Sequence, residues 1–152
     1  MKFLAVLCLI LIAFAFAAAN NHGCNNQPCG QGRICHTLRG FCSCVEIQKC
    51  KDVELFSKIM NQWEVDGKVF TQYDVSISNN LDADISQIYI GTDASLTLRD
   101  YASIWNVNRL PNGELTLPGY QPSINKNSTY TFGFILKGNT SANLAILATV
   151  FN

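Results

Sequence analysis

Six of the seven cysteines lie between residues 24 and 50, and the rest of the chain, from residue 51 to residue 152, has none. The two parts must therefore be stabilised in different ways. The cysteine-bearing stretch, GCNNQPCGQGRICHTLRGFCSCVEIQKC, is rich in Gly, Asn and Gln and poor in large aliphatic residues. It cannot bury enough apolar area to offset the entropy of ordering its own chain, so cross-links must hold it. The seventh cysteine, Cys8, falls in an uncharged run from Phe3 to Ala19 that follows Met1 and Lys2 and ends in small residues. That is the layout of a secretory signal peptide, residues 1–19, cleaved near Ala17-Ala18-Ala19. A retained membrane span is the poorer reading, because polar Asn20-Asn21-His22 follows at once without a basic stop-transfer cluster. Once the signal is removed nothing in the chain is apolar enough to cross a bilayer, and the expected location is extracellular. An even number of cysteines in an oxidising compartment predicts three disulfides, and six cysteines allow 15 pairings.

From residue 52 to residue 152 the pattern changes to alternating apolar and polar residues broken by turn clusters, which is all-β patterning. Candidate strands are Val69–Ser78, Ile85–Ile90, Ser95–Leu98, Leu115–Leu117, Thr129–Leu136 and Asn143–Phe151. The breaks contain Asn79-Asn80, Gly91-Thr92-Asp93, Pro111-Asn112-Gly113 and Lys137-Gly138-Asn139, all suited to tight turns. Short strands of this number predict an all-β, immunoglobulin-like β-sandwich, preceded by a small disulfide-rich module at residues 20–51. Val53, Phe56 and Met60 would share one helical face, but the same stretch reads equally as a first strand, so it is left open. Within Val69–Ser78 the two-residue period puts Val69, Thr71, Tyr73, Val75 and Ile77 on one face, the core face, and Phe70, Gln72, Asp74, Ser76 and Ser78 on the other. Tyr130, Phe132, Phe134 and Leu136 likewise share a core face. Phe70 is then a lone aromatic among polar neighbours on the outward side.

Eleven Lys+Arg balance eleven Asp+Glu, and only 14% of the residues are charged. Such a chain lacks the dense basic field that binds nucleic acid. The two histidines, His22 and His36, both lie in or before the cysteine-rich stretch, and no nucleophile motif accompanies them. Asp74, Asp82, Asp84, Asp93 and Asp100 would have to supply any carboxylate pair for glycoside hydrolysis, yet most sit in polar turns or on an outward strand face. Asp82-x-Asp84 is not followed by a full loop of calcium ligands. No catalytic residue, metal or cofactor is expected. Two sequons, Asn127-Ser128-Thr129 and Asn139-Thr140-Ser141, flank the Thr129–Leu136 strand, and N-glycans there would keep both its ends at the surface.

Trp63 and Trp105 fit no core pattern, since polar residues surround Trp63 and Asn106 follows Trp105. An exposed indole stacks on the apolar face of a pyranose ring, and rings in a row match a linear glucan. An ordered series runs through Trp63, then Phe70-Thr71-Gln72-Tyr73-Asp74-Val75-Ser76-Ile77-Ser78-Asn79, then Ile104-Trp105-Asn106-Val107, Leu117-Pro118, and Ser128 ahead of Phe132-Gly133-Phe134-Ile135. Through this series the residues from 52 to 152 resemble carbohydrate-binding module family 49, a cellulose-binding β-sandwich. It implies a sugar platform of Trp63, Phe70 and Trp105, with Gln72 and Asp74 beside Phe70 as hydrogen-bonding partners and Tyr120 as a further stacking ring. Phe70 replaces the family's tyrosine, Asn106-Val107 replaces Gly-Leu, and Tyr120 follows the proline where the family has tryptophan. The cysteine spacing C-x4-C-x5-C-x6-C-x-C-x5-C is similar to a compact EGF-like module, which implies the pairs Cys24–Cys35, Cys29–Cys42 and Cys44–Cys50.

These features together predict a secreted, non-catalytic protein that binds cellulose or a related β-1,4-glucan as part of an extracellular matrix or coat. The cysteine-rich module would space the sandwich or contact an extracellular protein. Two other readings predict different behaviour. An adhesion or signalling module acting through the EGF-like segment would keep both tryptophans in the core, and a small glycoside hydrolase accessory protein would release reducing ends.

Overall fold

The computed structural model describes residues 22–152, so the expected signal peptide lies outside the described residues. Twelve strands follow in order: β1 (Gly23–Cys24), β2 (Gln27–Pro28), β3 (Arg33–Leu38), β4 (Phe41–Glu46), β5 (Val53–Val65), β6 (Lys68–Asn79), β7 (Ile85–Thr92), β8 (Ile104–Trp105), β9 (Asn108–Arg109), β10 (Leu115–Thr116), β11 (Thr129–Lys137) and β12 (Leu144–Phe151). One 3-10 turn, Ile47–Lys49, is the only helical element among the described residues. The open segment at residues 53–65 is a strand. Ser95–Leu98 forms no regular strand, although Leu98 makes a single bridge to Leu136.

Two sheets face each other. One has four strands in the order β5-β6-β11-β8, the other six in the order β4-β3-β12-β7-β10-β9. Phe132, Phe134, Leu136, Val75 and Ile77 from the first sheet meet Ile34, Ile88, Ile90, Ile146 and Phe151 from the second. Tyr73 packs on Phe134 with ring centroids 5.5 Å apart. Burying each of these large side chains stabilises the sandwich by roughly 1.5–3 kcal/mol. Alternation along β6 puts Thr71, Tyr73, Val75, Ile77 and Asn79 inward, as the two-residue period requires. Asn79 is a polar member of that set. Its amide donates to the carbonyls of Ala83, Ile124 and Asn125, and its side-chain oxygen accepts from Leu81 N–H. A buried amide so fully partnered holds two loops together at the end of β6.

The cysteine-rich segment is not packed apart from the sandwich. β3 runs parallel to β12 and antiparallel to β4, so this hairpin extends the six-stranded sheet across the boundary near residue 51. Ile34 of β3 enters the shared core, while its neighbour Cys35 points to the outer face. There Cys24, Cys29 and Ala148 are buried with Cys35, against Cys42, Cys44 and Tyr89. The β1–β2 ribbon thus lies over the outer face of the six-stranded sheet. His22 fastens its leading end, stacked 4.5 Å from Tyr89 and with Nε2 2.8 Å from Glu114 Oε2.

The disulfide pairing differs from the EGF-like expectation. The bonds are Cys24–Cys42 and Cys29–Cys44, and Cys35 and Cys50 are free, buried thiols. None of the three expected pairs, Cys24–Cys35, Cys29–Cys42 or Cys44–Cys50, is formed. The sheet explains the last of these. Cys44 lies opposite Cys35 in the β3–β4 register and shares its outward side, whereas Cys50 is buried with Ile34 and Val53 on the inner side, so the hairpin stands between them. Cys42 and Cys44 are two residues apart on one strand and both face the ribbon, which is where Cys24 and Cys29 arrive. Cys35 sits just beneath, its sulfur 3.4 Å from that of Cys42.

Candidate functional site

Among the described residues, no segment covers the outer face of the four-stranded sheet. In the β5–β6 register Trp63 lies opposite Phe70, Asn61 opposite Gln72, Lys58 opposite Asp74 and Phe56 opposite Ser76. In the β6–β11 register Gly133 lies opposite Asp74, and on the far side of Gly133 stands Trp105 of β8. Cross-strand partners share a face, so Trp63, Phe70, Gln72, Asp74 and Trp105 all belong to one surface. All five are partly exposed. Trp63 and Phe70 form a tilted pair with centroids 6.1 Å apart. With strands ~4.8 Å apart and a rise of ~3.3 Å per residue, that pair stands roughly 15–20 Å from Trp105 across the sheet.

Each ring is held by its surroundings. The Trp105 indole lies against the backbone of β11 at Gly133, where a β-carbon would come within 2.7 Å of its Cζ2, Cε2 and Nε1. A glycine there leaves room for the indole, which stays partly exposed. Asn106, next in the chain, has φ of 58°, the left-handed region. Glycine fills such positions most easily and asparagine next, so Asn106 suits this turn where the resembled family has glycine. Its backbone oxygen accepts a 2.9 Å bond from the Tyr130 hydroxyl, and its side-chain oxygen accepts one of 3.2 Å from the Tyr120 hydroxyl. Burial, with the Tyr120 hydroxyl alongside, pushes the Tyr130 phenol up to about 12, so it keeps the proton it donates. Tyr120 itself is exposed at the Trp105 end of the surface, not within the sheet.

Phe56 was not among the expected ring residues. It is 70% exposed on this same surface, beside a flat floor made by Ser76 and Thr131, whose hydroxyls are 3.2 Å apart. Strand parity alone sets it against Trp63, because 56 is even and 63 is odd. Met60 is an extra residue in β5 that shifts the register between Ile59 and Asn61 and reverses the parity beyond it.

The carboxylates singled out in the sequence do not converge. Asp82 pairs with Lys126 at 2.9 Å, Asp93 bonds Ser95 and Asn143, and Asp100 bonds Arg99 at 2.7 Å. Those contacts hold all three below the ordinary carboxylate range. A general acid in glycoside hydrolysis needs the opposite shift. Asn127 and Asn139 are both exposed, one before β11 and one after it.

The sequence profile of the family described as Carbohydrate binding domain CBM49 matches residues 53–137, which spans β5 to β11 and includes every ring on this surface. Two proteins of Dictyostelium discoideum are similar over nearly the whole chain. Stalk-specific protein A is 48% identical and Stalk-specific protein B 46% identical, in each case across 99% of this chain and 100% of the relative.

Proposed function

Because the chain belongs to the Carbohydrate binding domain CBM49 family, we propose that it is a secreted, non-catalytic protein that adsorbs to cellulose or a related β-1,4-glucan through the bare face of its four-stranded sheet. The observation that carries this reading is the placing of Trp63, Phe70 and Trp105 on one uncovered, flat surface, with Gln72 and Asp74 between them. Rings stack on the apolar faces of successive pyranoses, and Gln72 and Asp74 bond their hydroxyls. Tyr120 extends the contact at the Trp105 end.

The protein serves as a structural component of an extracellular matrix or coat, a role supported by the stalk-specific names of its relatives. N-glycans at Asn127 and Asn139 would border β11 at its two ends. Phe41, 84% exposed at the turn of the β3–β4 hairpin, gives the cysteine-rich end a contact point for a protein partner.

Tryptophan emission tests the reading. Trp63 and Trp105 are the only indoles in the chain. Titration with cellohexaose should shift and quench their emission saturably, in Trp63→Phe and in Trp105→Phe as well as in the parent protein. Emission unchanged at millimolar oligosaccharide would remove the platform from consideration.

A further inference from the structure

A second feature adjoins the platform at its Trp63–Phe70 end. Lys68, Val69, Phe70, Arg99, Lys137 and Gly138 line a cleft of about 570 Å³. Lys137 lies directly opposite Phe70 in the β6–β11 register, and Lys68 precedes Phe70 by two residues on the same face. The Arg99 backbone N–H bonds the Ile135 carbonyl, which brings its side chain to the same edge. No carboxylate lines the cleft. Among the described residues neither lysine forms an ion pair, and Arg99 pairs only with its chain neighbour Asp100. In a chain whose charges balance, two lysines without an ion pair, beside an arginine shared with Asp100, make a local positive field around one aromatic floor.

We propose that this cleft is an anion subsite of the glucan platform, so that the ligand is a β-linked polysaccharide bearing carboxylate or sulfate-ester substituents, bound with its sugar ring on Trp63 and Phe70 and its anionic group against Lys68, Lys137 and Arg99. The inference rests on the platform reading, because the aromatic floor is what makes the occupant a sugar. Neutral hydroxyls need no such concentration of charge, and lysine and arginine recognise a carboxylate or sulfate through charge-assisted hydrogen bonds.

Isothermal titration calorimetry against three soluble polymers on one β-1,4-glucan backbone tests it: hydroxyethyl cellulose, carboxymethyl cellulose and cellulose sulfate. The secreted protein should bind at least one anionic polymer roughly 3- to 10-fold tighter than the neutral one at low ionic strength, and about 0.5 M NaCl should remove the difference. Lys68→Ala/Lys137→Ala should lose the preference and keep its affinity for hydroxyethyl cellulose. Lys49→Ala/Lys51→Ala, which changes net charge equally at a distant site, should keep the preference. A preference for only one anionic polymer assigns the anion as carboxylate or as sulfate ester. Equal binding of charged and neutral polymers, or a preference that survives Lys68→Ala/Lys137→Ala, overturns the proposal. Lysine-dependent binding of an anionic polymer with none of hydroxyethyl cellulose would uphold the subsite and overturn the neutral-glucan reading instead.

Discussion

The two sheets treat their outer faces in opposite ways. Over the six-stranded sheet lies the β1–β2 ribbon, fastened by Cys24–Cys42 and Cys29–Cys44 and burying Cys35 and Ala148 beneath it. Among the described residues the four-stranded sheet has no such cover, yet it carries Trp63, Phe70, Trp105 and Phe56 where solvent reaches them. A small domain gains stability from covering apolar surface, so rings left open on one sheet while the other is covered and cross-linked are the contrast on which the proposed glucan platform rests. Disulfides hold the covered side, and the proposed stacking would use the bare side.

That contrast breaks most sharply on the covered side. Replacing Cys24 and Cys42 together with alanine should cost about 3 kcal/mol, the amount a loop of this length returns to the unfolded chain. Thermal unfolding followed by circular dichroism should show a clear fall in Tm, while the glucan affinity of the still-folded protein stays unchanged. Affinity lost with the fold intact would mean that the ribbon, not the bare face, contacts the ligand. On the bare side, Gly133→Ala puts a methyl group where the Trp105 ring lies. It should lower stability by about 1–3 kcal/mol and reduce glucan binding as far as Trp105→Ala does. If binding survives, the indole does not act from its seat on Gly133.

How far the sequence disclosed this arrangement depended on how local each signal is. Period-2 alternation in β6 suffices to send Tyr73 inward and Phe70 outward, because a long central strand buried on one side needs no other information. Trp105 is different. β8 has only two residues, and their partner is Gly133, far along the chain, so no local period places the ring. Its poor fit to any core pattern singled it out, and the family resemblance put it on the platform. Phe56 escaped because β5 is an edge strand without clean alternation, and the extra Met60 reverses its parity midway. Cysteine spacing likewise could not give the pairing. Which sulfurs meet is decided by the hairpin, which turns Cys42 and Cys44 outward and leaves Cys50 inside.

Smaller changes refine the contrast. Phe56→Ala should leave Tm nearly unchanged, since the side chain is exposed, and weaken binding to long glucans about two- to five-fold, with little effect on cellotetraose. Equal loss for short and long ligands would place Phe56 inside the main platform. Asn106→Gly restores the residue that best suits a φ of 58° and should alter stability by no more than a few tenths of a kcal/mol, whereas Asn106→Val should cost about 1–2 kcal/mol. Both are read by thermal unfolding.

The most direct test of the central claim is sedimentation of the purified secreted protein with insoluble cellulose, beside a Trp63→Ala/Trp105→Ala variant whose circular dichroism matches the parent. The account predicts that the parent leaves solution with the polymer and the folded variant does not. Parent protein remaining in solution, or a variant that sediments equally well, would contradict it.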